Sequence, residues 1–361
     1  MNKPLHILVL GAAYGLLPAL RIAMAGHYVT IMCRAEERHA LAEHGATITF
    51  MRRDGREGHV YHMPAEEKQA DRLYQLGLVG PDCDPFLYDM IFIALSEPQT
   101  AVSEISSLFS KIAIAQRPVV ALLNLLPFCF LRRFAKISSH IMEPAYHAMA
   151  TWDKLDPDAV TAASPDAQAV RTDFHRFDRL TVTLASNFKI APFTQNHHQK
   201  MLLRIVQDIN ALKSTSGVIN PVRMIAHQSV HIPLVKWPML LTGNCRSFTL
   251  ESRAVAISDA VHKDIDESRR LYDEVCAIIL ALGVSPKDVV PFSAYASAAR
   301  SLTRPSSLAR TLEQGAVAIE RIDLMIRQAA LSMGMVTTGI DTIVQEVEKK
   351  LRSNHIKSES I

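Results

Sequence analysis

The chain has 361 residues, of which 48% are hydrophobic and 21% are charged, and its formal net charge is +3. This is the composition of an ordinary globular protein, and the length favours two domains over one. The small net charge and the absence of basic runs interleaved with aromatic residues argue against a nucleic-acid-binding protein. We therefore expect no nucleic-acid partner.

The cysteine pattern predicts a cytoplasmic protein. Five cysteines lie far apart without a C-x-x-C pair, which favours reduced thiols over a disulfide framework or a zinc site. The histidines show no convincing metal-ligand spacing, so we expect no metal. We expect no signal peptide and no membrane partner, because the apolar stretch 112–131 is broken by polar residues and prolines and predicts a buried strand, turn and helix.

The first thirty-four residues predict a βαβ unit. The aliphatic run 6–10 is typical of a buried parallel strand, residues 16–25 of a helix, and residues 28–32 of a second strand. Between the first strand and the helix, a Rossmann fold binds the pyrophosphate of a dinucleotide. We predict that role for the turn Gly11, Ala12, Ala13, Tyr14 and Gly15, although it is one residue shorter than G-x-G-x-x-G. A βαβ unit can also use glycines here without binding a nucleotide.

Arg34 follows the second strand and bears on the choice of cofactor. An NAD-binding domain usually carries an acid there, which binds the ribose 2′-hydroxyl, whereas an arginine suits a 2′-phosphate. A guanidinium offers a phosphate a planar pair of donors. We therefore predict NADP(H) as the cofactor. The alternative is a surface arginine that is paired with Glu36 or Glu37.

Strands then alternate with helices until about residue 194. Further strand-like runs lie at 46–50, 90–95, 119–123, 180–184 and 188–190, and a helical stretch lies at 102–112. The polar, alanine-rich sequence within 145–178 predicts an irregular excursion. Helical periodicity dominates afterwards, at 199–212, 224–241, 254–282, 306–333 and 337–351.

This order predicts an α/β fold with two domains. Residues 1–215 would form an N-terminal Rossmann domain with a doubly wound parallel sheet, and residues 216–361 an all-helical C-terminal domain. The ligand would lie between them, outside the carboxyl ends of the strands.

Several short segments resemble the ketopantoate reductase family. They are Ile7-Leu8-Val9-Leu10-Gly11, Ala25-Gly26-His27-Tyr28-Val29-Thr30, Ala94-Leu95-Ser96-Glu97-Pro98-Gln99, Leu122-Leu123-Asn124, Ala281-Leu282-Gly283-Val284, and the stretch from Pro305-Ser306-Ser307-Leu308 to Gly315. Their order and spacing carry the resemblance, which covers most of the chain apart from the excursion. It implies a Rossmann domain followed by a helical domain of the 6-phosphogluconate-dehydrogenase type.

The resemblance also implies an activity, the reduction of 2-dehydropantoate to pantoate by NADPH in pantothenate biosynthesis. Lys236 matches the catalytic lysine, which protonates the carbonyl oxygen while hydride arrives from the nicotinamide. By the same match, the substrate would be oriented by Asn124, Asn244, Ser307 and Glu320, and the cofactor would be bound in addition by Ser96, Gln99 and Asn124. The partner would be a small keto acid, and a homodimer is compatible with this plan.

The sequence departs from the family at two positions. Leu240 stands where the family usually has an asparagine, and Ser96 replaces a common lysine. Losing polar donors can change the substrate. The alternatives are another 2-keto acid, an imine reduced by an opine-type dehydrogenase, or a protein that binds NADP(H) without catalysis.

The individual residues also have ordinary structural interpretations. A lysine flanked by apolar residues, such as Lys236, either extends its ammonium group to solvent or is suited by burial to act as an acid. Asn124 could form a turn, and Ser306 or Ser307 could cap a helix after Pro305. Glu320 could lie on a solvated helix face.

Overall fold

The structure is a computed structural model that describes residues 3–52, 55–69, 71–165, 168–173, 175–184, 187–212 and 222–359. The chain forms two compact units. Unit 1 comprises Met1–Leu95, Gln99–Phe130 and Ala150–Val230, and unit 2 comprises Ser96–Pro98, Leu131–Met149 and His231–Ile361. The predicted domain boundary at residues 215 and 216 lies outside the described residues.

Unit 1 contains two sheets. Their strands, in chain order, are β1 His6–Leu10, β2 Tyr28–Met32, β3 Ala46–Met51, β4 Glu57–Met63, β5 Ala65–Glu66, β6 Leu76–Val79, β7 Met90–Ile93, β8 Val119–Ala121, β9 Val160–Pro165, β10 Gln168–Val170, β11 Arg179–Leu184, β12 Phe188–Ile190 and β13 Met224–Ala226. The larger sheet has the order β13-β12-β9-β8-β7-β1-β2-β6-β5. Its centre, β6-β2-β1-β7-β8-β9, is parallel and has the 3-2-1-4-5-6 order of a Rossmann fold.

The helices continue this pattern along the chain. They are α1 Leu16–Met24, α2 Ala35–His44, α3 Ser103–Ala115, α4 Ser139–Met142, α5 Met149–Trp152, α6 Asn196–Asn210, α7 Trp237–Met239, α8 Arg246–Thr249, α9 Ile257–His262, α10 Ile265–Leu282, α11 Phe292–Ala299, α12 Ser307–Glu313, α13 Ile322–Ser332 and α14 Thr338–Glu359. In unit 1, α1 is buried along most of its length and contacts both β2 and α6. The strands β7 and β8 are fully buried, as expected for parallel strands that are covered on both faces.

The prediction of an irregular excursion at 145–178 is wrong, because this segment contains β9 of the larger sheet and β10 of the second sheet, whose order is β10-β11-β3-β4. The strand β9 pairs with β8 as the sixth Rossmann strand, and β10 pairs with β11. The sequence of β9, V-T-A-A-S-P, has small buried residues and no alternating pattern. Its strand conformation therefore depends on its neighbours β8 and β12, which the local sequence does not reveal.

The predicted helix at 224–241 is also wrong in its first part. Met224–Ala226 is β13, which pairs in parallel with β12 and belongs to the sheet of unit 1. Helical structure begins with the 3₁₀ turn Ile232–Lys236, so the helical part of the chain starts later than residue 216.

Among its described residues, unit 2 has helices joined by turns and loops and contains no strand. The predicted helix 254–282 is divided at Asp264, whose side chain caps α10, and the predicted helix 306–333 is divided after Gly315, which has a φ of +92°. A cluster of buried side chains from α9, α10 and α11 forms part of the core: Ile257, Val261, Tyr272, Phe292, Tyr295 and Ala299. Across the described ranges of both units, no helix has the length and apolar character needed to cross a membrane.

Candidate active site

The glycine turn follows β1 and lies against the ends of the two neighbouring strands, β2 and β7, where the strand order of the sheet reverses. The backbone N–H of Gly11 donates to the carbonyl of Met32 at 2.9 Å, and Gly11 has a φ of +104°. A Cβ at Gly11 would lie 3.0 Å from the carbonyl oxygen of Ala94. Gly11 is therefore required both by its conformation and by the close approach of the segment after β7.

Gly15 provides the second close contact and begins α1. A Cβ at Gly15 would lie 2.1 Å from the carbonyl oxygen of Gly11 and 2.9 Å from Val9 Cγ1. The shortened turn thus packs the start of the helix directly on β1. No acidic residue occupies the first turn of α1, which suits an anionic ligand at the positive end of the helix dipole. The N–H groups of Leu16 and Leu17 donate to carbonyls within the turn itself, so the helix start offers them to no ligand.

The three residues between the glycines differ in exposure. Ala12 is buried, Ala13 is exposed, and Tyr14 is half-buried with its ring edge-on to Phe188 at a centroid distance of 6.0 Å. Both glycines are buried, so a pyrophosphate would meet the turn at Ala13 and the exposed part of Tyr14. Binding by these five residues stays a prediction.

A cluster of four residues lies where β2 ends, and we call it the Arg34 cluster: Arg34, Glu37, Arg171 and Phe177. Arg34 is the N-cap residue of α2, and 69% of its side chain is exposed. Glu37 Oε2 accepts the backbone N–H of Arg34 at 3.2 Å. Glu37 Oε1 accepts from Arg171 at 2.8 Å and, more weakly, from the Arg34 guanidinium at 3.4 Å.

Glu37 is ionised in this cluster although it is buried. Burial by itself raises the pKa of Glu37, but the hydrogen bonds and charges of Arg171 and Arg34 outweigh it and hold the pKa below its usual value. The alternative that Arg34 is paired with Glu37 is therefore correct in part, while most of the Arg34 side chain stays exposed. Sequence reasoning missed Arg171 and Phe177, because both come from the loop between β10 and β11, in the segment predicted to be irregular.

Asn124 and Gln99 follow neighbouring strands of the parallel sheet. Asn124 comes shortly after β8 and is half-buried, whereas Gln99 comes after β7 in the 3₁₀ helix Glu97–Ala101 and is exposed. Both therefore lie toward the carboxyl ends of the strands in unit 1, where ligands bind in open α/β sheets.

In unit 2, Lys236 and Asn244 lie on one continuous helical segment. It runs from the 3₁₀ turn Ile232–Lys236 through α7 and the π-helix Leu240–Cys245 into α8. One α turn of about 3.6 residues and one π turn, which is about one residue longer, together span about eight residues. The π-helix therefore returns Asn244 to the side of the helix that carries Lys236.

The burial pattern agrees with this geometry. Lys236 and Asn244 are half-buried, whereas most residues between them are buried. Leu240, at the position of the family's additional asparagine, is only 3% exposed. At Gly243 the π-helix passes close to Tyr295, since a Cβ there would lie 2.0 Å from the tyrosine hydroxyl.

The two serines near α12 have different surroundings. Ser306 is buried and is the N-cap residue, because its Oγ accepts the backbone N–H of Ala309 at 3.0 Å. The same hydroxyl donates to the carbonyl of Asn244 at 2.7 Å, so it ties the start of α12 to the π-helix. Ser307 is exposed and makes no cap. Its predicted role in substrate binding stays a prediction.

Glu320 and Glu97 are connected within unit 2. Glu320 is half-buried, and its Oε1 accepts the backbone N–H of Glu97 at 3.2 Å, so it does not lie on a fully solvated face. Glu97 is 1% exposed and accepts the backbone N–H groups of His147 and Ala148. Burial raises its pKa although these hydrogen bonds act in the opposite direction. Sequence reasoning missed Glu97, which stands next to the half-buried Ser96.

Comparison with solved structures identifies the fold. A 2-dehydropantoate 2-reductase from Geobacter metallireducens GS-15 matches with a TM-score of 0.68 and 13% identity, covering 96% of this chain and 99% of its own. A PanE/ApbA family ketopantoate reductase from Ralstonia eutropha JMP134 matches with a TM-score of 0.64 and 15% identity, over 97% and 99%. The chain has the ketopantoate reductase fold.

The same fold occurs in a D-mandelate dehydrogenase solved with NADH and anilino(oxo)acetate. It matches with a TM-score of 0.66 and 14% identity, over 97% of this chain and 99% of its own. No protein-family model and no curated protein matches the sequence.

Within the ketopantoate reductase fold, the predicted residues fall into two groups. Unit 1 holds the glycine turn, Arg34, Gln99 and Asn124, and unit 2 holds Ser96, Lys236, Asn244, Ser307 and Glu320. In the part of the chain that the structure describes, no three histidine, cysteine, aspartate or glutamate side chains group as metal ligands.

Proposed function

We propose that this protein reduces a 2-keto acid with NADPH, and that 2-dehydropantoate, which would yield pantoate, is its substrate. The observation that carries this proposal is the placement of Lys236 and Asn244 on one side of a helix in a chain with the ketopantoate reductase fold. The π-helix between them supports the assignment, because π-helical segments are frequent at functional sites.

The cofactor residues would come from unit 1, apart from Ser96, which belongs to unit 2. The turn from Gly11 to Gly15 would bind the pyrophosphate through backbone N–H groups, and Arg34 would bind the 2′-phosphate. Bound NADPH would supply the hydride. Asn124 and Gln99 lie toward the carboxyl edge of the sheet, where they would contact the nicotinamide half of the cofactor.

Lys236 would provide the proton. Hydride addition to a keto carbonyl leaves negative charge on its oxygen, and an ammonium donor within hydrogen-bond reach neutralises that charge. The Asn244 amide, on the same side of the helix, would orient the substrate by donating to its oxygens. Glu320 and Ser307 would contact the hydroxyl end of pantoate.

We also place this reaction in the cytoplasm, as a step of pantothenate biosynthesis, with a homodimer as the working assembly. The wide spacing of the five cysteines, without a C-x-x-C pair, supports a reducing compartment. Burial raises the pKa of the Cys33 thiol to about 12. A thiol in that state is an ordinary core residue.

A second candidate substrate is a 2-keto acid with an apolar side chain, such as 2-oxo-2-phenylacetate. Leu240 favours it, because an apolar residue replaces a polar one at the position where the ketopantoate reductase family has an asparagine. The shared fold with a D-mandelate dehydrogenase is consistent with this choice.

The test is NADPH oxidation at 340 nm against 2-dehydropantoate, 2-oxo-2-phenylacetate and pyruvate, with NADH in parallel. We expect the highest kcat/KM for 2-dehydropantoate with NADPH. If only 2-oxo-2-phenylacetate is reduced, it is the substrate in place of 2-dehydropantoate. If none of the keto acids is reduced with either cofactor, the reductase proposal is wrong.

A further inference from the structure

The loop between β10 and β11 reaches the first turn of α2, shortly after β2, through one buried ion pair. Arg171 NH1 donates to Glu37 Oε1 at 2.8 Å, and the two side chains are only 12% and 9% exposed. Arg171 NH2 also donates to the carbonyl of Phe177 at 3.4 Å, so the same guanidinium holds both ends of its own loop. An ion pair this buried is strongly coupled, because little solvent screens it.

The position of Glu37 gives this ion pair a consequence for ligand binding. A free carboxylate near the end of the second Rossmann strand accepts the ribose 2′-hydroxyl of NAD and repels a 2′-phosphate. Here both carboxylate oxygens are used, Oε2 by the Arg34 backbone and Oε1 by the two guanidinium groups. With Arg171 in place the Arg34 cluster carries two positive charges and one negative charge.

Phe177 connects the loop to Arg34 itself. Its ring centroid lies 5.1 Å from Cζ of Arg171 and 5.9 Å from Cζ of Arg34, both within the range of a cation–π contact. The ring therefore restricts the exposed Arg34 side chain, which would otherwise sample many rotamers.

We propose that Arg171 is a specificity-determining residue for the cofactor: it neutralises Glu37, and this leaves Arg34 available for the 2′-phosphate of NADP(H). The inference rests on the proposed NADP(H)-dependent function. Without Arg171, Glu37 faces Arg34 alone, the net charge of the cluster falls to zero, and the preference moves toward NAD(H).

The experiment measures the dissociation constants of NADPH and NADH, by cofactor fluorescence, for the parent protein and for Arg171→Met. We expect the ratio of the two constants to move toward NADH by about tenfold, equal to about 1.4 kcal/mol, through weaker NADPH binding. Arg176→Met is the matched control. It removes another arginine of the same loop, whose guanidinium pairs with Asp178 at 2.9 and 2.8 Å instead of Glu37.

A second variant separates charge from structure. Adding Glu37→Gln to Arg171→Met should restore the preference for NADPH, because no carboxylate is left to neutralise. If Arg171→Met does not fold, the single variant Glu37→Gln tests the inference. The inference then requires that Glu37→Gln keeps or increases the preference for NADPH.

The outcomes distinguish the inference from the proposed function. A parent protein that binds neither cofactor, or binds both equally, overturns the proposed NADP(H) preference and the inference with it. A parent that prefers NADPH and an Arg171→Met variant with the same preference overturn the inference alone. An equal loss of preference in Arg176→Met would assign the effect to the loop's general structure and would also overturn it.

Discussion

Lys236 is the single side chain on which the proposed proton transfer depends. It is half-buried at the end of a 3₁₀ turn, directly before α7, with buried residues on both sides in the sequence. The packing of those neighbours fixes the backbone around Lys236 and with it the direction of its Cα–Cβ bond.

Lys236→Ala should lower kcat by about 10²–10⁴-fold on the true substrate, because general-acid help is lost. The dissociation constant for NADPH should change little, since the proposed cofactor residues other than Ser96 belong to unit 1. The matched control is Lys287→Ala, which removes an exposed lysine of unit 2. Wild-type turnover by Lys236→Ala would show that the lysine is structural.

The raised pKa of Glu97 predicts that the stability of the folded protein depends on pH. Its pKa is raised by burial, so the folded protein binds a proton more tightly than the unfolded chain does. The free energy of unfolding should therefore fall as the pH rises from the ordinary carboxyl pKa to the raised pKa, and level off above it. Glu97→Gln keeps an acceptor oxygen for the N–H groups of His147 and Ala148 and should remove this slope.

Urea unfolding of the parent and Glu97→Gln at several pH values between about 4 and 8 measures the effect. The two proteins should differ in slope and not only in midpoint. Parallel curves for the two proteins would mean that Glu97 does not contribute to the pH dependence.

At the scale of elements, two short pieces of backbone position the candidate site: the turn before α1 and the π-helix before α8. Both depend on a glycine beside a fixed atom. In the turn, the obstacle for a Cβ at Gly15 is the carbonyl oxygen of Gly11, and in the π-helix the obstacle for one at Gly243 is the hydroxyl of Tyr295. Each glycine therefore allows a close approach that no other residue would permit.

Gly15→Ala should weaken dinucleotide binding, because the new methyl group must displace the Gly11 carbonyl and with it the turn. We expect a loss of stability of about 1–3 kcal/mol as well. Gly26→Ala is the control at the other end of α1, where φ is +84° and no atom lies within 4 Å of a Cβ. It should cost about 1–2 kcal/mol of stability and leave the cofactor dissociation constant unchanged. If both variants bind the cofactor equally well, the turn does not take part in cofactor binding.

Gly243→Ala should push the π-helix away from Tyr295 and rotate Asn244 relative to Lys236, so kcat should fall more than stability alone explains. Tyr295→Phe removes the hydroxyl that causes the collision, together with its bond to the carbonyl of Met239. The double variant should regain part of the lost turnover, and a double-mutant cycle measures the coupling. Additive losses would indicate that the contact at Gly243 does not control the geometry of the π-helix.

The sequence predicted elements where local pattern and structure agree. The aliphatic runs of β1, β2, β7 and β8 agree with the prediction, as do the helical stretches that contain α10, α13 and α14, although two of these stretches are divided in the structure. The strands β6, β9, β10 and β13 were missed, because strands of three to six residues are too short to show a periodic signal and form only beside their partners. The π-helix has no sequence signature at all, and it is what brings Lys236 and Asn244 to one side.

At the scale of the whole molecule, unit 1 is discontinuous in sequence, since it takes three separate segments of the chain. The prediction of one boundary near residue 215 assumed that each domain is one continuous segment. Ser96–Pro98 and Leu131–Met149 belong to unit 2 although they lie between parts of unit 1 in the sequence. Glu97, with its partners Glu320, His147 and Ala148, shows why the residue pattern along the chain could not reveal this.

NADPH should protect unit 1 more than unit 2 from hydrogen exchange, because the proposed cofactor residues Gly11, Gly15 and Arg34 all belong to unit 1. At a hundredfold excess over its dissociation constant, a ligand stabilises the state it binds by about 2.7 kcal/mol. Exchange measured by mass spectrometry should slow in peptides that cover β1, α1 and β2, and less so in α10 and α14. Uniform protection, or protection by NADH alone at equal concentration, would contradict the cofactor assignment.

The second sheet has a consequence for how the chain folds as it is synthesised. Thr47 of β3 pairs with Arg179 of β11. The edge of β3 that does not pair with β4 therefore stays unpaired until β11 is synthesised, on the order of ten seconds later. During that interval β3 presents unpaired backbone groups, which is the exposure that leads nascent chains to mispair or to recruit chaperones. Synthesis that pauses before residue 179 would prolong this exposure and lower the yield of folded protein.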